Sequence, residues 1–238
     1  MNFDVLKTAA GVSLFFVFSI LTGQGTFPDL VDHAFGLDQD LVNGVQYYNR
    51  YLRSQGHPYF LEDRFENGSV TVDGKLYQDV KLKYDLFSQR VELEYKTFSG
   101  GDNRLITVAE HMDAFRLGLY KFSRLELDGT TARFYQVIAS DHFTCLVHWQ
   151  KKLIPINSST VYIEQFTKPS RTYWLELDGR TEPISNRKTF AKLFPLDKQQ
   201  EIRRLIRQKH FSFRNATPDE IIRLIHEVSD LVKTGVRP

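Results

Sequence analysis

Cysteine occurs once in the 238-residue chain, at Cys145, with a histidine three residues to either side of it, in the run Asp141-His142-Phe143-Thr144-Cys145-Leu146-Val147-His148-Trp149. A thiol and two imidazoles could act as a nucleophile with its base, or as ligands of a metal ion. Either chemistry needs all three side chains on one side of the backbone. A helix would gather positions 142, 145 and 148; a strand turns His142 and His148 one way and Cys145 the other. The run is β-branched and aromatic, poor helix material, so a strand is expected. Phe143, Cys145, Val147 and Trp149 should then face the core, with His142, Thr144, Leu146, His148 and Gln150 opposite. Cys145 reads as a small buried hydrophobe. His142 and His148, ~7 Å apart by strand rise, read as solvated side chains unless an acidic neighbour makes them a weak metal site.

Other searches for chemistry come back empty. The sequence contains no G-x-S-x-G elbow, H-E-x-x-H pair, P-loop or dinucleotide fingerprint. No catalytic residue, cofactor or metal is therefore expected. Arg203, Arg204, Arg207 and Lys209, followed by Phe211 and Phe213, are the candidate partner surface. They could meet anionic headgroups, a glycan or an acidic protein; a solvated helix face is the plain alternative.

The elements that would carry these residues are mostly strands. Val70 and Val72 precede Asp73-Gly74, a hairpin signal because both residues tolerate positive φ. Val80, Leu82 and Tyr84 alternate with Lys81 and Lys83; Val91, Leu93 and Tyr95 alternate with Glu92, Glu94 and Lys96. Period two implies one buried and one wet face, with lysines and glutamates paired across the wet one. Asp128-Gly129 and Asp178-Gly179 mark further turns between strand-like runs near 122–127, 133–139, 143–151, 161–166 and 172–177. Residues 108–117 fit a helical turn or a strand.

The period changes at the C-terminus. A short helix is expected over 186–194, and Asp197 with Gln200 can cap a second, carrying Ile202, Leu205 and Ile206. Thr217-Pro218-Asp219-Glu220 is a capping box opening a third, with Ile221, Leu224, Ile225, Val228, Leu231 and Val232 on one stripe. The expected fold class is α+β: an antiparallel meander, curled or partly closed, with C-terminal helices packed on it. Its divisions are 1–25, 26–64 with one short helix around 39–53, a β domain over 65–180, and a helical segment over 181–238.

Residues 9–21, AAGVSLFFVFSIL, are unbroken apolar and small, the length of a signal-peptide core and short for a membrane span. Gly23-Gln24-Gly25 supplies small residues for cleavage, and a retained anchor is the alternative. Export is expected, leaving no transmembrane helix after signal removal. A lone cysteine excludes an intramolecular disulfide. Formal net charge is +2, which gives no reason to expect nucleic acid. Residues 26–80 hold nine acidic and four basic residues, and residues 197–238 nine basic and six acidic.

The run GSVTVDGKLYQDVKLKYDLFSQRVELEY, with the later FYQVI, TYWLELDG and KTFAKLFP segments, resembles a family of uncharacterised exported β-rich proteins of Bacteroidota. That resemblance implies the periplasm or outer-membrane periphery of a Gram-negative bacterium, and no known activity. Residues and resemblance together lead to a non-enzymatic envelope protein that binds another envelope protein or an outer-membrane component. A periplasmic carrier of an apolar, lipid-like ligand is the second expectation, and a hydrolase with a site assembled from distant residues the third.

Overall fold

The computed structural model describes residues 45–46, 50–96, 103–108, 111–127, 129, 131–157 and 161–233. Its strands are β1 (Val45–Gln46), β2 (Ser54–Gln55), β3 (Glu66–Val72), β4 (Lys75–Asp85), β5 (Arg90–Lys96), β6 (Asn103–Val108) and β7 (Met112–Leu117). They continue with β8 (Tyr120–Leu125), β9 (Arg133–Ala139), β10 (Thr144–Gln150), β11 (Leu153–Pro155), β12 (Glu164–Phe166), β13 (Ser170–Leu177) and β14 (Arg180–Ile184). Three helices follow: α1 (Arg187–Lys192), α2 (Leu196–Gln208) and α3 (Pro218–Lys233).

Eleven strands form one sheet in the order β1-β6-β5-β4-β3-β7-β8-β9-β10-β13-β14. Every pairing in it is antiparallel. Strand β3, fifth in that order, pairs with both β4 and β7, so two meanders run outward from it in opposite directions. The expected antiparallel sheet with C-terminal helices is present. Closure is not: among the described residues the ladder ends at β1 and β14, each with a single neighbour. The edge strand β14 carries Pro183, which lacks the N–H that another ladder would need. A separate small sheet has the order β11-β12-β2, with β12 and β2 parallel.

Turn chemistry places several of these elements. Asp73 and Gly74 have φ of 46° and 78°, and Asp178 and Gly179 have 50° and 72°, the paired positive values of a tight hairpin. Within 108–117, Val108 ends β6, residues 109–110 lie outside the described residues and Met112–Leu117 is β7, and the sheet extends past 180 to Ile184. The segment 1–25 and most of the helix expected around 39–53 lie outside the described residues. Within that span Val45–Gln46 is strand and residues 52–53 are a turn. Leu52, on its expected apolar stripe, is 78% exposed.

The helices start largely as their sequences imply. The Thr217 N–H donates to Glu220 at 2.7 Å and the Glu220 N–H to the Thr217 hydroxyl at 3.3 Å, closing the capping box of α3. Asn186 and Thr189 make a second box at α1. Asp197 does not cap α2; that helix begins one residue earlier behind Pro195, and Asp197 sits in its first turn. Buried Phe190, Ile202, Ile206, Ile221, Leu224 and Val228 press all three helices onto the sheet's apolar face.

Gly68 is the tightest point of the sheet. A Cβ built on it would lie 1.8 Å from the Arg116 carbonyl oxygen on β7 and 2.8 Å from a Leu82 methyl on β4. Both neighbours of β3 therefore close in because residue 68 has no side chain. Gly68→Ala should lower stability by about 3 kcal/mol, at the upper end of overpacking costs. Gly74→Ala, with nothing within 4 Å of the added methyl but a φ of 78°, should cost about 1 kcal/mol. Urea denaturation of the two variants checks the order.

Candidate functional site

The strand reading holds from Thr144 to Gln150, while His142 lies exposed in the bend that precedes it. Phe143, Cys145, Val147 and Trp149 lie in the hydrophobic core. Cys145 is 1% exposed and burial pushes its thiol up to about 12, the opposite of an activated nucleophile. One expectation fails here. His148 is not solvated but buried, its Nδ1 3.1 Å from the Phe134 carbonyl oxygen and its ring 5.6 Å from that of Tyr135. Desolvation holds its pKa below the ordinary value. The reason is that this end of the sheet buries both faces: Tyr135 and Leu146 are also covered. Among the described residues no three His, Cys, Asp or Glu side chains converge as metal ligands.

The basic cluster is split by the structure. Lys209 pairs with Glu227 at 2.7 Å, fastening the end of α2 to α3. Arg203 turns half-buried toward the Gln199 amide oxygen, 3.3 Å away. Arg204 and Arg207 are exposed. Phe211 and Phe213 pack against the core, so no aromatic is left beside the cations.

Titratable groups do converge elsewhere, on the sheet face that the charge alternation marked as wet. Lys83 and Glu92 sit opposite one another on β4 and β5, 3.8 Å apart. The expected cross-strand pairing exists, here and between Lys81 and Glu94 at 3.5 Å. Yet Glu92 is 1% and Lys83 8% exposed, because the strap 57–63 lies across them. The strap is itself extended: the Phe60 N–H donates to the Tyr84 carbonyl at 2.8 Å and the Leu86 N–H to the Pro58 carbonyl at 3.0 Å. Alternation then sends Phe60 into the core, against Phe122 at 5.2 Å and Trp149 at 5.4 Å. Tyr59 falls on the other side, its hydroxyl 3.1 Å from both Glu92 oxygens and its ring 3.9 Å beneath the Lys83 ammonium. Asp63 accepts from Lys83 at 2.8 Å.

Burial pushes the Glu92 carboxyl up to about 7, against the pull of Lys83 and of the Tyr59 hydroxyl. Lys151, buried beside the strap, donates to the His57 carbonyl at 2.8 Å and is held down at about 8 by desolvation. Sequence reasoning missed this cluster because alternation shows which residues share a face, not what covers it. The available signal was His57-Pro58-Tyr59-Phe60-Leu61, an apolar run too short to stand alone.

The small sheet presents the opposite case, apolar groups left in water. Ile154 pairs with Gln165, and the Ile156–Ile163 hydrogen bond continues the ladder, so Ile163, two residues back along the same ribbon, shares its face; Val161 lies in the bend just before it. These three are 37%, 47% and 72% exposed. The Ile163 N–H donates to the Arg53 carbonyl at 3.1 Å, and the Ile156 N–H to the Ile163 carbonyl at 2.9 Å, so the ribbon is fixed from both sides. Its inner face is anchored by aromatic rings: Phe166 lies 5.1 Å from Tyr51 and 5.8 Å from Phe87. The strand expected at 161–166 is shorter, Glu164–Phe166, and its partner β11 was not foreseen.

No family model, no curated protein and no solved structure matches this chain. Among the described residues no helix is long and apolar enough to cross a membrane.

Two measurements check the site. The Cys145 thiol should be silent to a thiol reagent in the native protein and react with the urea unfolding transition; rapid native labelling would contradict the strand assignment. A carboxyl with a raised folded pKa favours its protonated form, so its stabilising contribution is present below the unfolded value of 4.5 and is lost as pH rises through about 7. Glu92→Gln should therefore gain on the parent across that window, by up to about 3 kcal/mol, in urea titrations at pH 4.5 and 7.5. A pH-independent difference would contradict the assignment.

Proposed function

We propose that this chain is a non-catalytic exported module of a Gram-negative cell envelope that binds through the outward face of its small sheet. The observation that carries this is the exposure of Val161, Ile163 and Ile154 together on a ribbon whose backbone is hydrogen-bonded on both sides. Soluble surfaces scatter single apolar residues; a fixed group of them favours contact with something. The N-terminal run 9–21 supports the address, as does the resemblance to exported proteins of Bacteroidota.

Catalysis draws little support from the buried groups. Glu92 has a raised carboxyl pKa of the sort active sites use, but it lies with Lys83 under the strap, beyond a substrate's reach. A carrier built on a curled sheet is the second reading, favoured by one observation. Tyr84 on β4 lies 5.9 Å from Phe134 on β9, although β3, β7 and β8 stand between them in the ladder. Against a ligand there, the space in front of the sheet is occupied by Phe190, Ile202, Ile221 and Val228, none more than 1% exposed.

Cell fractionation tests the reading. The protein made in a Gram-negative host should be recovered with the envelope and begin near residue 26. Replacing Val161 and Ile163 together by Asp should shift it to the soluble fraction with an unchanged circular dichroism spectrum. Full-length protein in the cytoplasm would contradict export, and an unchanged distribution of the double variant would contradict the role of the face.

A further inference from the structure

The surroundings of the small sheet identify what it meets. Along the ribbons 50–55, 151–157 and 161–168 the basic residues are Arg50, Arg53, Lys151, Lys152 and Lys168, against a single acidic residue, Glu164. Arg50, Arg53, Lys152 and Lys168 are exposed. Glu164 is half-buried, with the Ser54 hydroxyl 3.5 Å from its carboxylate. The Arg53 Nε donates to the Val161 carbonyl at 3.4 Å, so one cation is held beside the most exposed aliphatic of the face. Tyr162, 40% exposed, and Leu52, 78% exposed, stand at the rim.

We propose that this face docks on an anionic lipid surface, Val161, Ile163 and Ile154 entering the headgroup–acyl boundary while Arg50, Arg53, Lys152 and Lys168 contact phosphates. The proposal rests on the reading of the small sheet as a binding face and names its partner. Exposed aliphatic side chains on ribbons that carry exposed cations and an exposed tyrosine match the layered polarity of a bilayer interface. Each cation near an anionic leaflet strengthens the attraction. A second copy of the chain is disfavoured by the same charges, since two such faces would bring their cations together.

The test uses the full chain with a single environment-sensitive fluorophore on Val161→Cys, the natural Cys145 being 1% exposed and so closed to the reagent in the native protein. A parallel chain carries the fluorophore on Leu76→Cys, 52% exposed near the start of β4. Both are mixed with vesicles of phosphatidylethanolamine and phosphatidylglycerol, and with vesicles of phosphatidylcholine. The label at 161 should brighten and shift to the blue on the anionic vesicles alone, while the label at 76 stays unchanged. Adding Arg53→Glu and Lys152→Glu to the first chain should weaken that response by about tenfold or more, with the melting temperature retained. Equal responses at 161 and 76 would overturn the proposal, since the run 9–21 alone would then hold the chain on the bilayer. So would an equal response on neutral vesicles, or one that grows with protein concentration in the absence of lipid. If vesicles fail while the Asp double variant still leaves the envelope fraction, the binding face stands and its lipid partner falls.

Discussion

The burial of Glu92 beneath the strap 57–63 is the constraint on which the architecture depends. A carboxyl at 1% exposure is tolerated only with partners, and it has two: the Lys83 ammonium and the Tyr59 hydroxyl. Tyr59 is available because the strap is extended and pairs with the end of β4, which also drives Phe60 into the aromatic core on the opposite side. One short segment thus fastens a polar cluster outside the sheet and a ring cluster inside it.

The strap also decides where the small sheet projects. It begins directly after β2, so fixing residues 57–60 against β4 fixes Ser54–Gln55 and, through the parallel pairing, Glu164–Phe166. A second tie comes from the Lys151 side chain, which reaches the His57 carbonyl while its backbone N–H donates to the Leu86 carbonyl at 3.2 Å. The apolar ribbon beyond these ties is held at a set orientation, as a surface that meets a planar partner requires. Cations along the same ribbons sit on a part of the chain with little negative charge to neutralise them.

Much of this was legible in the residues, and the failures share a cause. Asp73-Gly74, Asp178-Gly179 and the Thr217 capping box announced themselves because local backbone chemistry determines them. Alternation placed Cys145 in the core and set Lys83 against Glu92, because period two is a property of the strand alone. It could not place Glu92 or His148 in the interior, since the groups that cover them come from distant segments. The same limit hid the small sheet, whose strands have two or three residues and whose β2 finds its partner β12 across more than a hundred positions. The Arg203–Lys209 cluster shows the same limit: Arg203 and Lys209 turn to neighbouring side chains while Arg204 and Arg207 stay exposed, a difference that adjacency in sequence does not reveal.

Residue-resolved amide hydrogen exchange examines the central claim most directly. If the strap holds the small sheet rigidly on the large one, the N–H groups of Phe60, Leu86 and Ile163, bonded to Tyr84, Pro58 and Arg53, should exchange as slowly as those within β4 and β5. Fast exchange at these three positions, with β4 and β5 still protected, would mean the strap is loose and the apolar ribbon has no fixed orientation to present.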